Sequence, residues 1–389
     1  MVSDSPDGLR KQLQDFIEKG ELLGGFSGTS AHKQRKPVFV FTGMGPQWWA
    51  MGRELYRSEP VFRAAVHECD EAFKRISDWH ILDELMASEE ASNIAVPHVS
   101  ACTNFMLQVG LVTLLRSWGI EPSAVVGHSL GEIGAAWGCG ALDLASAIDV
   151  LYHRSRLLNR ISGQGTMASV GMSAEAVAPY LAAEGGRVSI AAVNSPQSIT
   201  LTGDKESLQR IAAKLEQVKV SPIFMQVQMA YHSVYMEPLK EDMYAALKDV
   251  RVQTPHCDVY SSVTGGRVQA SDMDIDYWWR NMRDPVYFAP AIDALIADGH
   301  RLFLEIGPQP VLTSAAVQVW PEHLAPPRAI VSLRKGVPEF RDKLDALLPQ
   351  TIARRIPQAA YFTTLAIRFA NNVVGGENFI DMARWAGVQ

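Results

Sequence analysis

The sequence is poor in cysteine and has no excess of positive charge. Its four cysteines are far apart in the chain and include no CxxC pair, so neither a zinc site nor a disulfide framework is predicted. The formal net charge is −6 at pH 7, which argues against the basic surface that a nucleic acid backbone requires. We therefore expect reduced cysteines, no metal and no nucleic-acid partner.

The sequence also has no obvious apolar run of the ~20 residues that a membrane helix needs. The N-terminal residues 1–7 lack the charged-then-apolar order of a signal peptide. Apolar residues make up 47% of the 389 positions and charged residues 20%, which is ordinary for a globular protein with a sizeable core. We expect a cytoplasmic protein, without a membrane partner, that has one large domain and a smaller inserted or appended one.

Short apolar strands alternate with helical patterns in the first half of the chain. Val38–Phe41 is a continuous run of strand-forming residues and predicts a central, parallel strand. Residues 99–118 have helical periodicity, residues 124–126 predict a second buried strand, and a helical pattern follows Glu132. This order predicts a layered α/β fold.

The middle of the chain has a different pattern. Between residues 166 and 232 the predicted order is strand, helix, strand, strand, helix, strand, with the last strand at residues 223–229. That order is typical of a ferredoxin-like subdomain. We assign residues 166–232 to this insertion and residues 37–165 with 233–335 to the core, between linkers at 1–36 and 336–389.

The strongest chemical signal is a Gly-x-Ser-x-Gly pattern between a predicted strand and a predicted helix. The glycines are Gly127 and Gly131, and Ser129 lies between His128 and Leu130. This context is that of a nucleophile elbow, in which the serine hydroxyl is exposed and only small residues fit at the two glycine positions. The Leu130 N–H and the helix N-terminus would face the same point and stabilise a negative charge there.

A serine nucleophile requires a base, and His232 is the best candidate. It follows Met229, Ala230 and Tyr231 at the end of an apolar run. From spacing alone, a surface histidine that caps a helix explains His232 equally well. No Asp stands out as a third member of a triad.

Two further positions could serve the same site. The loop that follows residues 38–41 contains Met44 between two glycines, so its backbone could approach a ligand and supply a second oxyanion donor. Without other information, an ordinary strand-to-helix turn is the simpler interpretation of this loop. Arg154 could bind a carboxylate in a bidentate way, although a solvated helix arginine would look the same in the sequence.

Taken together, these segments resemble the acyltransferase family of fatty acid and polyketide synthases. Arg154 follows Ser129 by 25 residues, which is the family spacing for the arginine that binds the carboxylate of the extender unit. The resemblance covers about residues 37–335. Five segments match in order: Phe41–Trp48, Gly127–Glu132, Arg154, Met229–Ser233 and Glu305–Leu312.

The resemblance implies an α/β-hydrolase-like large subdomain with an inserted ferredoxin-like one. It implies that Ser129 and His232 are catalytic and that the N–H groups of Met44 and Leu130 form the oxyanion hole. A backbone carbonyl orients the histidine in this family, and alignment places that carbonyl at Asn281. The implied substrate is an acyl-CoA, and the acceptor is the phosphopantetheine thiol of an acyl carrier protein, with a ketosynthase among the neighbouring domains and no permanently bound cofactor.

The identity of the acyl group depends on Met229, Ala230 and Tyr231, with Leu130 beside the serine. A bulky Tyr231 next to His232 should crowd a 2-methyl branch, which favours malonyl over methylmalonyl. One methyl group is worth only ~1–3 kcal/mol, so a methylmalonyl-selective enzyme stays an alternative. A serine hydrolase or thioesterase built on the same elbow is a second alternative, and it predicts an acidic partner after Ser129.

Overall fold

The computed structural model describes residues 36–324 and 328–336, together with isolated positions between residues 10 and 18. The assigned linkers therefore lie almost wholly outside the described residues. Within the described part, helices α1 to α12 span Arg53–Ser58, Pro60–Phe73, Ile81–Met86, Pro97–Ser117, Gly131–Gly138, Leu144–Leu158, Ala174–Ala182, Lys205–Gln217, Lys240–Leu247, Ile275–Arg283, Phe288–Ala297 and Thr313–Val319. Short 3₁₀ turns occupy Asn159–Ile161, Val234–Leu239 and Ala270–Asp272.

The described residues form two separate β-sheets from ten strands. Strands β1 to β10 span Val38–Phe41, Ala124–Gly127, Thr166–Val170, Val188–Ser195, Ser198–Gly203, Ile223–Phe224, Asp258–Ser261, Gly266–Val268, Leu302–Ile306 and Arg328–Val331. The larger sheet has the order β10-β9-β1-β2-β7-β8, and the smaller has the order β4-β5-β3-β6.

The larger sheet confirms the predicted α/β architecture. All its strand pairs are parallel except the edge pair β7–β8. Strand β1 lies between β9 and β2, and its residues Val38–Phe41 are buried on both faces. Helices cover both faces of a parallel sheet of this kind, which explains why the sequence reads as an unbroken apolar run rather than an alternating one.

The smaller sheet has the ferredoxin-like order, and its strand pairs are all antiparallel. The last predicted strand, residues 223–229, was wrong in length, because β6 contains only Ile223–Phe224. Met225 N–H still donates to the Met167 carbonyl oxygen of β3, and the chain then bonds to a loop: Gly163 N–H donates to the Gln228 carbonyl oxygen, and Ala230 N–H donates to that of Gln164. The boundaries assigned to the two subdomains stay predictions.

Helix α4 is 21 residues long and apolar enough to cross a bilayer by length and composition, which inspection of the sequence did not anticipate. However, 89% of its most apolar window is buried inside the protein. It packs between α2 and the larger sheet as a core helix, and two buried amide side chains, Asn104 and Gln108, lie along it. Those two side chains reach the end of β1, next to the elbow.

Candidate active site

Ser129 lies in the tight turn between β2 and α5, in a left-handed conformation with φ of 54°. A Cβ atom on Gly127 would come within 2.2 Å of the Glu132 nitrogen, and one on Gly131 would come within 2.2 Å of the Phe41 carbonyl oxygen. Neither approach is possible for a side chain, so both positions require glycine. The turn therefore holds the serine hydroxyl at the carboxyl end of the parallel sheet.

His232 reaches Ser129 from the segment that follows the smaller sheet. Its Nε2 is 2.8 Å from the serine Oγ, although the two residues are 103 positions apart. His232 is buried and also has a positive φ, of 56°. The hydrogen bond places the imidazole where it can take the hydroxyl proton, so the structure brings together the nucleophile and base that the sequence suggested.

The backbone carbonyl that orients His232 belongs to Asp284, and the sequence-based assignment to Asn281 was wrong. His232 Nδ1 lies 2.9 Å from the Asp284 oxygen, which fixes an N–H at Nδ1 and leaves Nε2 as the acceptor. Asn281 lies three residues earlier, inside α10, where backbone carbonyls point along the helix axis. Its side chain is used instead: Asn281 Nδ2 donates to the Ser129 carbonyl oxygen at 2.9 Å.

His232 is held in its neutral form. Burial, followed by the positive charge of Arg154, lowers the pKa of the imidazole to about 3. The hydrogen bond to the Asp284 carbonyl opposes this shift without reversing it. At neutral pH the imidazole is therefore unprotonated and available to accept the serine proton.

Arg154 projects from α6 into the same site. Its Nη2 is 3.4 Å from the Ser129 Oγ, and the residue is only 2% exposed. Burial lowers the pKa of this guanidinium to about 10, so it is still charged at neutral pH. Among the described residues Arg154 forms no salt bridge, and its Nε has no hydrogen-bond partner. A buried cation without a counter-charge beside a nucleophile is suited to bind an anionic group.

The loop after β1 lies directly against the elbow. A Cβ atom on Gly43 would come within 2.6 Å of the His128 carbonyl oxygen, so the two backbones are in close contact. Met44 follows this glycine, and Leu130 follows the nucleophile at the start of α5. The first N–H groups of a helix have no acceptor within the helix, which makes the Leu130 end of α5 suitable for holding a negative charge.

The remaining candidates surround the reacting pair. Met229 and Ala230 are buried, while Tyr231 is partly buried and packs against the main core. Burial raises the pKa of the Tyr231 phenol, and Arg154 opposes that rise. His128 points away from the nucleophile, as expected: its Nε2 lies 2.9 Å from Asn194 Oδ1 in strand β4 of the smaller sheet.

Sequence reasoning missed Glu132, a buried carboxyl group three residues after the nucleophile. It accepts hydrogen bonds from the N–H and hydroxyl of Ser262 and from the Tyr277 hydroxyl. Burial raises its pKa to about 7, against the opposing effect of those donors. An acidic residue in the first turn of an apolar helix was the available signal, because such a residue has to find donors elsewhere in the chain.

The fold and the site together define a serine acyltransferase, and comparison with known proteins agrees. The chain belongs to the family described as "Acyl transferase domain", whose profile matches residues 38–353. It is 36% identical over 337 residues to the spectinabilin polyketide synthase system protein NorC of Streptomyces orinoci, covering 86% of this chain and 15% of that protein. It is 36% identical over 283 residues to the erythronolide synthase EryA2 of Saccharopolyspora erythraea, covering 72% and 8% respectively.

Solved structures of acyltransferase domains share the fold. The domain from module 8 of the salinomycin polyketide synthase has a TM-score of 0.81 and 32% identity, and the match covers 89% of this chain and 82% of that one. A loading acyltransferase from the avermectin modular polyketide synthase has a TM-score of 0.75 and 35% identity, covering 80% and 98%. The chain thus corresponds to one acyltransferase domain and spans a small fraction of the polyketide synthases that it matches.

Proposed function

We propose that this acyltransferase domain loads a malonyl unit from malonyl-CoA onto Ser129 and passes it to the phosphopantetheine thiol of an acyl carrier protein. The observation that carries the proposal is the buried guanidinium of Arg154, whose Nη2 lies 3.4 Å from the Ser129 hydroxyl and which has no carboxylate partner among the described residues. The free carboxylate of a malonyl group would supply the missing counter-charge and accept two parallel hydrogen bonds. A simple monoacyl group would leave this cation buried without a partner.

In the first half-reaction, His232 Nε2 takes the hydroxyl proton as Ser129 Oγ bonds to the thioester carbon. The carbonyl electron pair moves onto oxygen, and the N–H groups of Met44 and Leu130 stabilise this oxyanion. The oxyanion then collapses, the C–S bond breaks, and CoA leaves as a thiol with the proton from His232. Losing one oxyanion donor typically costs about 3–4 kcal/mol in such reactions.

In the second half-reaction, the phosphopantetheine thiol attacks the ester carbonyl carbon of malonyl-Ser129. His232 accepts the thiol proton, the same N–H groups hold the second oxyanion, and the C–O bond breaks. The proton on His232 returns to Ser129 Oγ, so the enzyme is regenerated. Acyl-CoA and the carrier-bound phosphopantetheine act as substrates, and we propose no permanently bound cofactor.

The acyl carrier protein and a neighbouring ketosynthase are proposed partners, because the curated relatives are polyketide synthases several times longer than this chain. In such a protein, carrier and ketosynthase domains would be joined to the acyltransferase domain covalently. A cytoplasmic location, where acyl-CoA is available, belongs to the same proposal.

Malonyl is preferred over methylmalonyl in this proposal because of Tyr231. The side chain is partly buried, precedes His232 in the chain and packs against the main core, and the charge of Arg154 opposes the rise that burial causes in the pKa of its phenol. A 2-methyl branch on an acyl group bound to Arg154 would compete for the space that the ring occupies. Replacing Tyr231 with serine should therefore raise the methylmalonyl-to-malonyl ratio of kcat/KM by about tenfold.

The hydrolase alternative loses its main support. It predicted a carboxylate partner for His232, whereas the imidazole Nδ1 is bonded to a backbone carbonyl oxygen of Asp284. A hydrolase also has no use for a buried arginine next to its nucleophile.

Intact-protein mass spectrometry after incubation with a panel of acyl-CoAs tests the proposal directly. Malonyl-CoA should add one malonyl increment at Ser129, and Ser129→Ala should abolish it. Arg154→Ala should lower kcat/KM for malonyl-CoA by about 10²-fold while affecting acetyl-CoA little, because only malonyl carries the second carboxylate.

Arg156→Ala is the matched control, since Arg156 lies exposed on the same helix and the change removes the same charge. It should leave both substrates unaffected. The proposal fails if malonyl-CoA leaves no increment on Ser129, or if Arg154→Ala uses malonyl-CoA as well as the unchanged enzyme does.

A further inference from the structure

Two buried asparagine side chains contact the two backbone segments that flank the nucleophile. Asn104 on α4 donates from Nδ2 to the Gly43 carbonyl oxygen at 3.0 Å, with a longer contact of 3.4 Å to the Thr42 carbonyl oxygen. Asn281 on α10 donates from Nδ2 to the Ser129 carbonyl oxygen at 2.9 Å. Asn104 is 1% exposed and Asn281 is 3% exposed. In the described residues, neither side chain forms a hydrogen bond to the Ser129 hydroxyl or to the His232 ring.

The carbonyls that they hold belong to two particular peptide groups. The Gly43 carbonyl shares its peptide group with the Met44 N–H, and the Ser129 carbonyl shares its peptide group with the Leu130 N–H. A trans peptide group is planar, so its C=O and N–H bonds point in opposite directions. A side chain that fixes the carbonyl from behind therefore fixes the direction of the N–H in front.

We propose that Asn104 and Asn281 are positioning residues of the oxyanion hole, each holding the peptide group that supplies one of the two N–H donors. This inference rests on the proposed function, since Met44 and Leu130 are the donors that the acyl-transfer reaction requires. The two asparagines come from different helices, α4 and α10, and Asn281 acts on the Ser129 carbonyl together with the Glu132 N–H of α5, which donates to the same oxygen at 3.1 Å.

The unpaired atoms of the same side chains support a role beyond stability. Within the described part of the chain, the Oδ1 atoms of both Asn104 and Asn281 have no hydrogen-bond partner. A buried carbonyl without a donor is unfavourable, and a leucine of nearly the same shape would fill the space without one. What asparagine provides and leucine cannot is the N–H that bonds to the backbone carbonyl.

Another side chain, Gln108, already supports the start of this loop, so the Asn104 contact is not needed for that purpose. Gln108, one turn further along α4, donates from Nε2 to the Thr42 carbonyl oxygen at 2.9 Å and to the Ile306 carbonyl oxygen at 3.3 Å. Gln108 thus holds the end of β1 against β9. With that end fixed, the Asn104 contact acts on the next peptide group, the one that carries the Met44 N–H.

The main experiment measures single-turnover acylation of Ser129 by malonyl-CoA in Asn104→Leu and Asn281→Leu. Each change keeps the side-chain shape and removes the N–H donor. The acylation rate at saturating malonyl-CoA should fall by about tenfold to hundredfold, with the half-saturating concentration changed by less than about threefold, because a misdirected donor weakens the transition state and not substrate binding.

Thr103→Val and Met282→Leu are the matched controls. Thr103 is buried beside Asn104, and among the residues that the structure describes its hydroxyl donates within its own helix, to the Val99 carbonyl oxygen; Met282 is buried beside Asn281. Both should acylate at the rate of the unchanged enzyme. Leucine variants that fold and keep the full rate, or that lose affinity at an unchanged rate, would overturn the proposal.

Aspartate variants give a second readout that a purely structural role would not move. In Asn281→Asp and Asn104→Asp, the protonated carboxyl can still donate to the backbone carbonyl, whereas the ionised form repels it. The ratio of variant to unchanged acylation rate should therefore fall as pH rises, and a ratio independent of pH would contradict the proposal. This series also decides the matter if a leucine variant fails to fold.

Failure of the proposed function would look different. If malonyl-CoA does not acylate Ser129 in the unchanged protein, the malonyl assignment is wrong and another acyl-CoA must be used. If acylation proceeds normally and the asparagine variants behave like their controls, only the positioning role is wrong.

Discussion

Ser129 and His232, the proposed nucleophile and base, both have backbone conformations that residues with side chains rarely adopt. Ser129 has a φ of 54° and His232 a φ of 56°, and among the described non-glycine residues only Ala50 and Lys219 share a positive φ with them. Such conformations cost about 1–3 kcal/mol each and persist only where the surroundings impose them. The surroundings therefore hold the main chain of both residues in the conformation in which the serine hydroxyl and the imidazole meet.

The pH dependence of the reaction should report the environment of His232. Because burial and Arg154 lower the imidazole pKa to about 3, the base is unprotonated throughout the physiological range. We expect kcat/KM for malonyl-CoA to be flat between pH 5 and 8 instead of halving near pH 6.5. Initial rates measured across this range, on protein shown to be folded at each pH, provide the check.

Bound substrate should raise the pH at which activity is lost on the acid side of the pH profile. The malonyl carboxylate offsets the charge of Arg154, so the His232 pKa should be higher in the complex, and the acid limb of kcat should lie above that of kcat/KM. A loss of kcat/KM centred near pH 6.5 would contradict the assigned environment.

Ser129 and Arg154 could be proposed from the sequence because their signals are local: a glycine pattern around a serine and a fixed spacing to an arginine. Asp284 could not, because it contributes a carbonyl that every residue possesses. The side-chain identity at that position contains no information about the contact, so alignment placed the carbonyl at Asn281, three residues too early.

At the scale of elements, the close approach of α2 and α4 depends on one glycine. A Cβ atom on Gly110 would come within 2.5 to 2.9 Å of three ring atoms of Phe62, which is fully buried. An aromatic ring in a packed core cannot move aside without displacing its own neighbours. The glycine is therefore required by packing, although it weakens the helix in isolation by about 1 kcal/mol relative to alanine.

Gly110→Ala should lower the free energy of unfolding by about 1–3 kcal/mol, because overpacking outweighs the gain in helix propensity. Chemical denaturation followed by circular dichroism measures the change. Gly266→Ala is the matched control: a Cβ there meets nothing within 4 Å, so its effect should stay within about 0.5 kcal/mol. A neutral or stabilising Gly110→Ala would show that the two helices can separate at little cost.

The positions of most elements follow from the sequence, since apolar periodicity marks both kinds of strand and the long helices. The exception at residues 225–229 is informative. This run satisfies a strand pattern, yet its main chain bonds to β3 only as far as Met225, whose N–H donates to the Met167 carbonyl oxygen. From Gln228 onward it bonds to the loop at residues 163–164. Local pattern cannot reveal which partner an edge segment finds.

At the scale of the whole molecule, Glu132 joins parts of the chain that are distant in sequence. Its carboxyl group connects α5 to Ser262, after β7, and to Tyr277 in α10, across 130 and 145 positions. The cost of burying the carboxyl group raises its pKa from 4.5 to about 7. The folded state therefore favours the protonated form.

The free energy of unfolding should depend on pH because the Glu132 carboxyl group titrates at a higher pH in the folded state. A group whose pKa is higher in the folded state stabilises fully below its unfolded pKa, here 4.5, and loses that contribution as pH rises to about 7. The difference in unfolding free energy between the unchanged protein and Glu132→Gln should shrink over this window by at most about 3 kcal/mol. Denaturant titrations at pH 4.5, 6 and 7.5 measure it, and a difference that does not change with pH would contradict this environment.

Contacts between residues so far apart in the chain cannot be predicted from one sequence. The family resemblance supplied the architecture and the pairing of Ser129 with His232, but the donors that surround Glu132 depend on how β7 and α10 pack against the elbow. The same limit applies to Asn104 and Asn281, whose partners are backbone atoms on other elements.

The use of the Asp284 main-chain oxygen as the orienting group has a consequence for mutagenesis. Any amino acid at position 284 still offers a carbonyl, so an alanine scan would classify the position as dispensable. The contact can be lost only by moving the backbone, for example by Val286→Pro, which removes the N–H that donates to the Ala191 carbonyl oxygen of the smaller sheet. The side chain at position 284 can therefore vary without loss of this contact, which is sensitive only to changes that displace the main chain.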